Sequence, residues 1–271
     1  MTTGIDTAFT ASVAQLYERY MVPLIFEPYA VDLASRVARA QPRRVLELAA
    51  GTGVVTRQLA VMLDGSADIV ATDLNPAMIE EAARIGTVRP VTWQQADATQ
   101  LPFDDAAFDA VVCQFGAMFF PDKPHAFGEA RRVLRPGRLF AFNSWGAIDR
   151  NEFADGIQDA LCTLFPADPP RFMSRTPHGY HEAIVIGKDL ASAGFTGTPH
   201  IETVAFTSRA ASPHVVATAY CMGTPWRSEI EARNGGSLQR ALDAAEADLA
   251  RRFGEGPIEG RIEALVVTVS A

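Results

Sequence analysis

The sequence predicts an α/β fold, a mostly parallel sheet with helices on both faces. Three observations carry that expectation. Short apolar runs alternate with helix-period segments from Arg43 to Asn143, the pattern of strand–helix–strand units. Runs such as Ala110-Val-Val112 are apolar throughout, as strands buried on both faces require. One strand leads through Gly51-Thr-Gly53 directly into a helix-period segment.

The elements follow in order. Asp6 to Ala40 reads as helical, with Tyr17 and Tyr20, then Val31, Ala34 and Val37-Ala38, at helical spacing. Pro23 and Pro28 predict two helices joined by a bend, and Pro42 a break. Arg43–Leu48 is the first strand and Val54–Leu63 the first helix of the alternation. Asp68–Thr72 is the second strand. Pro76–Arg84 is a helix, with Asn75 as N-cap and Pro76 at its first position. Val91–Gln95 and Asp109–Gln114 are strands three and four. His125–Leu134 is a helix ended by Arg135-Pro136-Gly137, and Arg138–Asn143 is strand five. Glu152–Phe165 is helical, and Pro166–Pro177 reads as an irregular loop. Glu182–Ala193 is a helix closed by Gly194. His200–Phe206 is strand six. Pro213–Phe253 is mostly helical, broken near Pro225 and Asn234-Gly-Gly236, and Ile262–Val269 is strand seven.

The 271 residues suit one large domain or a core with a cap, and the 48% hydrophobic share excludes a mostly disordered chain. A net charge of −8 argues against broad binding to nucleic-acid phosphates. No run approaches the ~20 apolar residues of a membrane span. The start, Met1-Thr-Thr-Gly-Ile-Asp6, lacks the basic and apolar regions of a signal peptide. Cys113, Cys162 and Cys221 are scattered, which fits reduced thiols in the cytoplasm.

Three strand ends carry the chemistry. Gly51 and Gly53 allow close backbone approach to a ligand, and the helix beyond them offers unpaired N–H groups to an anion. A plain strand-to-helix turn would use the same residues. Asp73, at the end of strand two, is placed to accept hydrogen bonds from both hydroxyls of a ribose. It would otherwise serve as a helix cap. Asp97, after strand three, can accept from an exocyclic amino group such as that of adenine, or simply be a solvated loop acid. In open α/β sheets ligands bind beyond the carboxyl ends of the strands, and here three such ends follow in chain order.

As a set these segments resemble the class I S-adenosylmethionine-dependent methyltransferases. The similarity is to the small-molecule subgroup that includes the ubiquinone/menaquinone-biosynthesis methyltransferases. The matching text is Val45-Leu-Glu-Leu-Ala-Ala-Gly-Thr-Gly53, Ala71-Thr-Asp-Leu-Asn-Pro-Ala-Met78, Gln95-Ala-Asp-Ala98, Leu101-Pro-Phe103, Phe108-Asp-Ala-Val-Val112 and Arg132-Val-Leu-Arg-Pro-Gly137. The resemblance implies a Rossmann-like seven-stranded mixed sheet, order 3-2-1-4-5-7-6, with the last strand antiparallel. It implies S-adenosylmethionine as donor and a small organic molecule as acceptor. By the same resemblance Glu47 lies near the methionine amino group, and Ala49, Gly51 and Gly53 cradle the methionine part. Asp73 holds the ribose with Leu74 beside the adenine, Asp97 and Ala98 contact the adenine, and Gln114 faces the methionine moiety. Tyr17 and Tyr20 would close over the cofactor or pack in the core. Ala49 departs from the pattern, standing where many members have glycine.

Methyl transfer needs alignment first and a base only where the acceptor must lose a proton. His178 and His181 are candidates for that base or for a substrate hydrogen bond. His125 reads as a surface histidine at a helix start. No metal site is expected. Phe115, Met118, Phe119 and Phe120 suit an apolar substrate wall or ordinary core. The expected organisation is a helical lead-in over 1–40, a cofactor-binding core over 41–206, a mostly helical insertion over 207–261 and a final strand over 262–271. The insertion would pack on the sheet edge, cap the acceptor pocket or form a homodimer contact. Two other classes compete: a non-catalytic cofactor-binding protein and an NAD-dependent oxidoreductase. The second would prefer glycine where Thr56 stands.

Overall fold

In the computed structural model, which describes residues 11–233 and 236–271, β1 (Arg44–Glu47) is central. It is flanked in parallel by β2 (Asp68–Asp73) and β4 (Phe108–Gln114), with Val45 opposite Ile69 on one side and Ala110 on the other. β3 (Thr92–Gln95) extends the sheet beyond β2, and β5 (Leu134–Trp145) beyond β4. β7 (Ile258–Ser270) lies antiparallel between β5 and the edge strand β6 (His200–Ala210). The order β3-β2-β1-β4-β5-β7-β6 is the one the resemblance implied.

The helices cover both faces. α1 (Ala11–Leu16) continues into a π-helical segment, Tyr17–Phe26, and then α2 (Glu27–Arg39). α3 (Val54–Met62), α4 (Pro76–Ile85) and α5 (Lys123–Val133) form the crossovers. α6 (Glu152–Leu164), α7 (Phe172–Arg175) and α8 (Ala183–Ser192) lie between β5 and β6. α9 (Pro213–Met222), α10 (Trp226–Glu231) and α11 (Leu238–Phe253) lie between β6 and β7. Among the described residues no helix is long and apolar enough to cross a membrane.

The structure corrects four readings. The N-terminal helices run into one another through continuous helical backbone, with a π-helical segment at the place where the bend was expected. The wider i→i+5 ladder absorbs Pro23, whose ring and missing N–H would break an α-helical ladder, and Pro28 falls in the tolerant first turn of α2. The part of the expected helix over 6–10 lies outside the described residues, as does the break at Asn234-Gly235. Arg135-Pro136-Gly137 is not a turn between helix and strand. Leu134 already pairs with Phe108, and the register then jumps to Ala110–Leu139, so the motif is a bulge with Gly137 at φ +73°. Arg135 on that bulge binds buried Asp109 at 2.6 Å. The proline-rich stretch contains α7. Finally, β6 runs on to Ala210 and β7 starts at Ile258, leaving 211–257 between them. Ile258, Gly260, Ile262 and Ala264 are buried in strict alternation, the period of a strand.

Two contacts hold the N-terminal helices on the sheet edge. Tyr29 Oη donates to the Val204 carbonyl at 3.0 Å, and Ser208 Oγ to the Leu24 carbonyl at 2.7 Å. The π-helical segment is thereby fixed above the carboxyl ends of β1 and β4.

Candidate cofactor and acceptor site

The loop after β1 is shaped by its own backbone. Ala50 N–H donates to the Thr72 carbonyl and Gly53 N–H to the Ala50 carbonyl, both at 2.9 Å. Ala49, Gly51 and Gly53 all have positive φ, at 51°, 56° and 84°. For Ala49 that conformation is strained. Gly53 caps α3, and a Cβ there would come within 2.8 Å of the Trp93 ring. Gly51 N–H donates to one Asp73 oxygen and Asn75 N–H to the other, each at 2.8 Å. The Leu74 N–H also faces this carboxylate, which leaves part of its four-position acceptor capacity open. Burial raises the Asp73 pKa, opposed by these backbone bonds.

A cavity of about 410 Å³ opens over these strand ends. Of the residues expected to bind cofactor, Tyr17, Ala49, Gly51, Asp73, Leu74, Asp97, Ala98 and Gln114 line it together. Glu47, Gly53 and Tyr20 do not. Glu47 lies buried behind the loop, where Thr56 Oγ1 donates to it at 2.6 Å. Burial pushes its pKa up to about 8, against the Thr56 bond and nearby Arg57. Gly53 faces Trp93. Tyr20 is turned away because the π-helical ladder presents Tyr17, Met21 and Ile25 to the cavity, four apart, and leaves Tyr20 under the Arg19 guanidinium at 5.0 Å. Three-residue spacing assumed an α-helix.

The π-helical segment is tied down at both sides. Arg57 donates to Glu18 at 2.8 Å, and Gln114 Nε2 donates to the Phe26 carbonyl at 3.3 Å. Gln114 Oε1 is enclosed and has no hydrogen-bond partner. Asp97 Oδ1 accepts from the Thr99 N–H and hydroxyl at 2.8 and 2.7 Å.

Past Gly116 the wall becomes aromatic. A Cβ at 116 would lie 2.5 Å from Ala49 Cβ and 2.8 Å from Cys113 Sγ, so the methyl of Ala49 is fitted against the missing one. Phe115, at φ +50°, is held by its N–H donating to Asn143 Oδ1 at 2.8 Å. Its ring stacks on Trp145 with centroids 3.8 Å apart and planes 6° from parallel. Phe119 and Phe120 line the cavity, whereas Met118 borders a smaller neighbouring one. Met21, Ile25, Trp145, Phe172, Met173, Tyr220, Thr224 and Pro225 complete the chamber, and sequence reasoning missed all eight. No spacing marks them, since they come from four distant segments.

The histidines separate. His178 is buried in the chamber wall, with Nδ1 2.8 Å from the Gly146 carbonyl. A carbonyl only accepts, which assigns the proton to Nδ1. Burial pushes the His178 pKa down to about 4. His181 is outside the cavity wall, its Nδ1 2.6 Å from the His178 carbonyl. His125 sits in the first turn of α5, its N–H bonded to Asp122. Among the described residues no three His, Cys, Asp or Glu side chains converge on a metal position.

Residues 46–142 match the family described as methyltransferase domain. The strand order and the strand-end loop agree with this match, so residues 46–142 carry the pattern of a methyltransferase domain at the centre of the sheet. Among curated relatives, the demethylmenaquinone methyltransferase of Thermus thermophilus is 44% identical over 110 residues, 40% of this chain and 48% of that protein. The ubiquinone/menaquinone biosynthesis C-methyltransferase of Proteus mirabilis is 33% identical over 147 residues, 53% of this chain and 54% of that protein. The chain thus spans about half the length of these relatives. A phosphoethanolamine N-methyltransferase 2 of Haemonchus contortus, solved with S-adenosylhomocysteine, shares the fold with TM-score 0.63 at 15% identity, over 99% of this chain and 60% of that one.

Proposed function

We propose that this protein transfers a methyl group from S-adenosylmethionine to a small organic acceptor. The observation that carries the reading is the junction of two unlike chambers in one cavity. One is edged by Asp73 and Asp97 with the Gly51 loop, the other by aromatic rings. The donor fits the first. It is cationic, and the only ionised side chains on the described wall are acids. Asp73 retains acceptor capacity for a ribose hydroxyl, and Gln114 lines the same side of the cavity. A Cβ at Gly51 would enter the gap before Tyr17, 3.9 Å away. Ala49, Gly51, Asp73, Leu74, Asp97, Ala98 and Gln114 would hold the donor, with Tyr17 over it. Glu47 would act from behind the loop.

When bound, the donor supplies a methyl on an activated sulfonium leaving group. The protein's own contribution is alignment and exclusion of water, for which the apolar walls of the aromatic chamber are suited. Tyr220, Thr224 and Pro225 line that chamber from the 211–257 segment, which supports its reading as a cap. The three cysteines are free, which supports a reducing, cytoplasmic setting.

Titration calorimetry with S-adenosylmethionine and S-adenosylhomocysteine tests the reading. Saturable binding of both is expected, and no heat at high micromolar ligand would sink it.

A further inference from the structure

The acceptor chamber has a polarity pattern of its own. Among its described wall residues there is no lysine, arginine or carboxylate; the acids Asp73 and Asp97 belong to the donor side. A charged acceptor would therefore be desolvated without a counter-ion, at a cost of several kcal/mol. Phe119, Trp145 and Phe172 offer flat apolar surface instead.

Polar side chains interrupt that surface: those of Asn151 and Thr224 are engaged by backbone groups, and two other polar atoms stand apart from them. The His178 ring is hydrogen-bonded through Nδ1 to Gly146, which leaves Nε2 as a bare lone pair. Tyr220 is 3% exposed, lines the cavity and has no hydrogen-bond partner for its hydroxyl among the described residues. Neither atom is sealed within the protein as an enclosed, unsatisfied group. His178 is coupled to the end of β4 through packed rings: Phe115 on Trp145, and Trp145 on His178 with centroids 6.0 Å apart.

From this arrangement, and resting on the methyl-transfer reading above, we propose that the acceptor is an uncharged, flat molecule bearing a hydroxyl, methylated on that oxygen, with His178 Nε2 taking the proton and Tyr220 Oη positioning the hydroxyl. The balance is complete. The acceptor oxygen bonds to the methyl carbon as the carbon–sulfur bond breaks, its electron pair remaining on sulfur. The hydroxyl proton passes to Nε2, so the positive charge lost at sulfur is regained on the imidazole. Burial keeps His178 neutral beforehand, so the lone pair is available. A low basicity suffices, because the O–H becomes strongly acidic only as the oxygen–carbon bond forms.

The test uses the whole protein saturated with S-adenosylhomocysteine, and three probes of one shape: 2-naphthol, 2-naphthoate and 2-naphthylmethylamine. Calorimetry should show naphthol bound at least ~10-fold more tightly than either charged probe. With S-adenosylmethionine, chromatography against authentic standards, coupled to mass spectrometry, should find 2-methoxynaphthalene; its ring-methylated isomer 1-methyl-2-naphthol in its place would overturn methylation on oxygen. His178→Asn keeps a side-chain N–H for the Gly146 carbonyl but has no basic lone pair. It should retain S-adenosylhomocysteine affinity and naphthol binding while losing turnover by at least ~100-fold. Tyr220→Phe should weaken naphthol binding and leave cofactor affinity unchanged. Preference for a charged probe, methylation of the amine in place of the naphthol, or wild-type turnover in His178→Asn would each overturn the proposal. Absence of S-adenosylhomocysteine binding would instead overturn the methyl-transfer reading on which it rests.

Discussion

The two halves of the cavity are built in opposite ways. The half proposed for the donor is made of short runs at four successive strand ends, and its geometry is fixed by backbone bonds such as Gly51 N–H to Asp73. The acceptor half is made of side chains from the π-helical segment, β5, α7 and α9, which meet only in the folded molecule. A site written in contiguous backbone can be moved whole between proteins. A site assembled from distant side chains can be altered one wall at a time. The difference predicts that substitutions in one half leave binding in the other intact, and four experiments probe it.

The largest effect is expected at Asp73. Asp73→Ala removes two hydrogen bonds to a charged acceptor and the brace on Gly51, which should cost ~2–3 kcal/mol, or ~30- to 100-fold in donor affinity. Calorimetry reads it. Unchanged affinity would remove Asp73 from the site, and an equal loss for an acceptor probe would break the division into halves.

Next is Glu229 on α10. It is buried, accepts from Phe172 N–H at 2.9 Å and pairs with Arg175 at 2.8 Å, so it holds α7 against α10. Glu229→Ala should cost ~2 kcal/mol of stability by denaturant titration. It should raise the KM for acceptor while donor affinity stays as it was. A change confined to donor affinity would contradict the assignment of α7 to the acceptor wall.

Gly116 lies on the boundary. Gly116→Ala would press on Ala49 and should cost ~1–2 kcal/mol and weaken both ligands. Adding Ala49→Gly frees the space and relieves a positive φ, so the double variant should melt above the single one. Simple additivity in a double-mutant cycle would show that the two residues do not touch.

The smallest effect is a slope. The Glu47 carboxyl has its pKa raised in the folded protein, to about 8, above the unfolded value. Its contribution to stability is therefore full below the unfolded pKa and is lost as pH rises through about 8. Wild type should lose thermal stability over that interval relative to Glu47→Gln. Parallel curves would mean that Glu47 is ionised at neutral pH.

The same contrast governs what the amino-acid sequence discloses. Alternating strands and helices, Asn75 as N-cap and the Gly51–Asp73–Asp97 series were legible because each depends on neighbours in the chain. The N-terminal helix was misread because a π-helical ladder has no spacing distinguishable from α, and Tyr20 was assigned to the wrong face. The Arg135-Pro136-Gly137 bulge was read as a helix end because proline and glycine serve both. Tyr220 and Phe172 were invisible as site residues, for their role exists only where α9 and α7 meet over β5.

The π-helical segment has a consequence for how such a cavity can change. Its extra residue in the turn sets the phase of everything before it. Deleting Pro23, the residue that an α-helical ladder excludes, would let the segment tighten toward an α-helical pitch and rotate the preceding side chains relative to Ile25, moving Tyr17 from the rim. The sheet and the donor loop would be untouched. A single-codon insertion or deletion here thus works as a rotary selector, exchanging the rim residue in one step that no series of point substitutions reproduces.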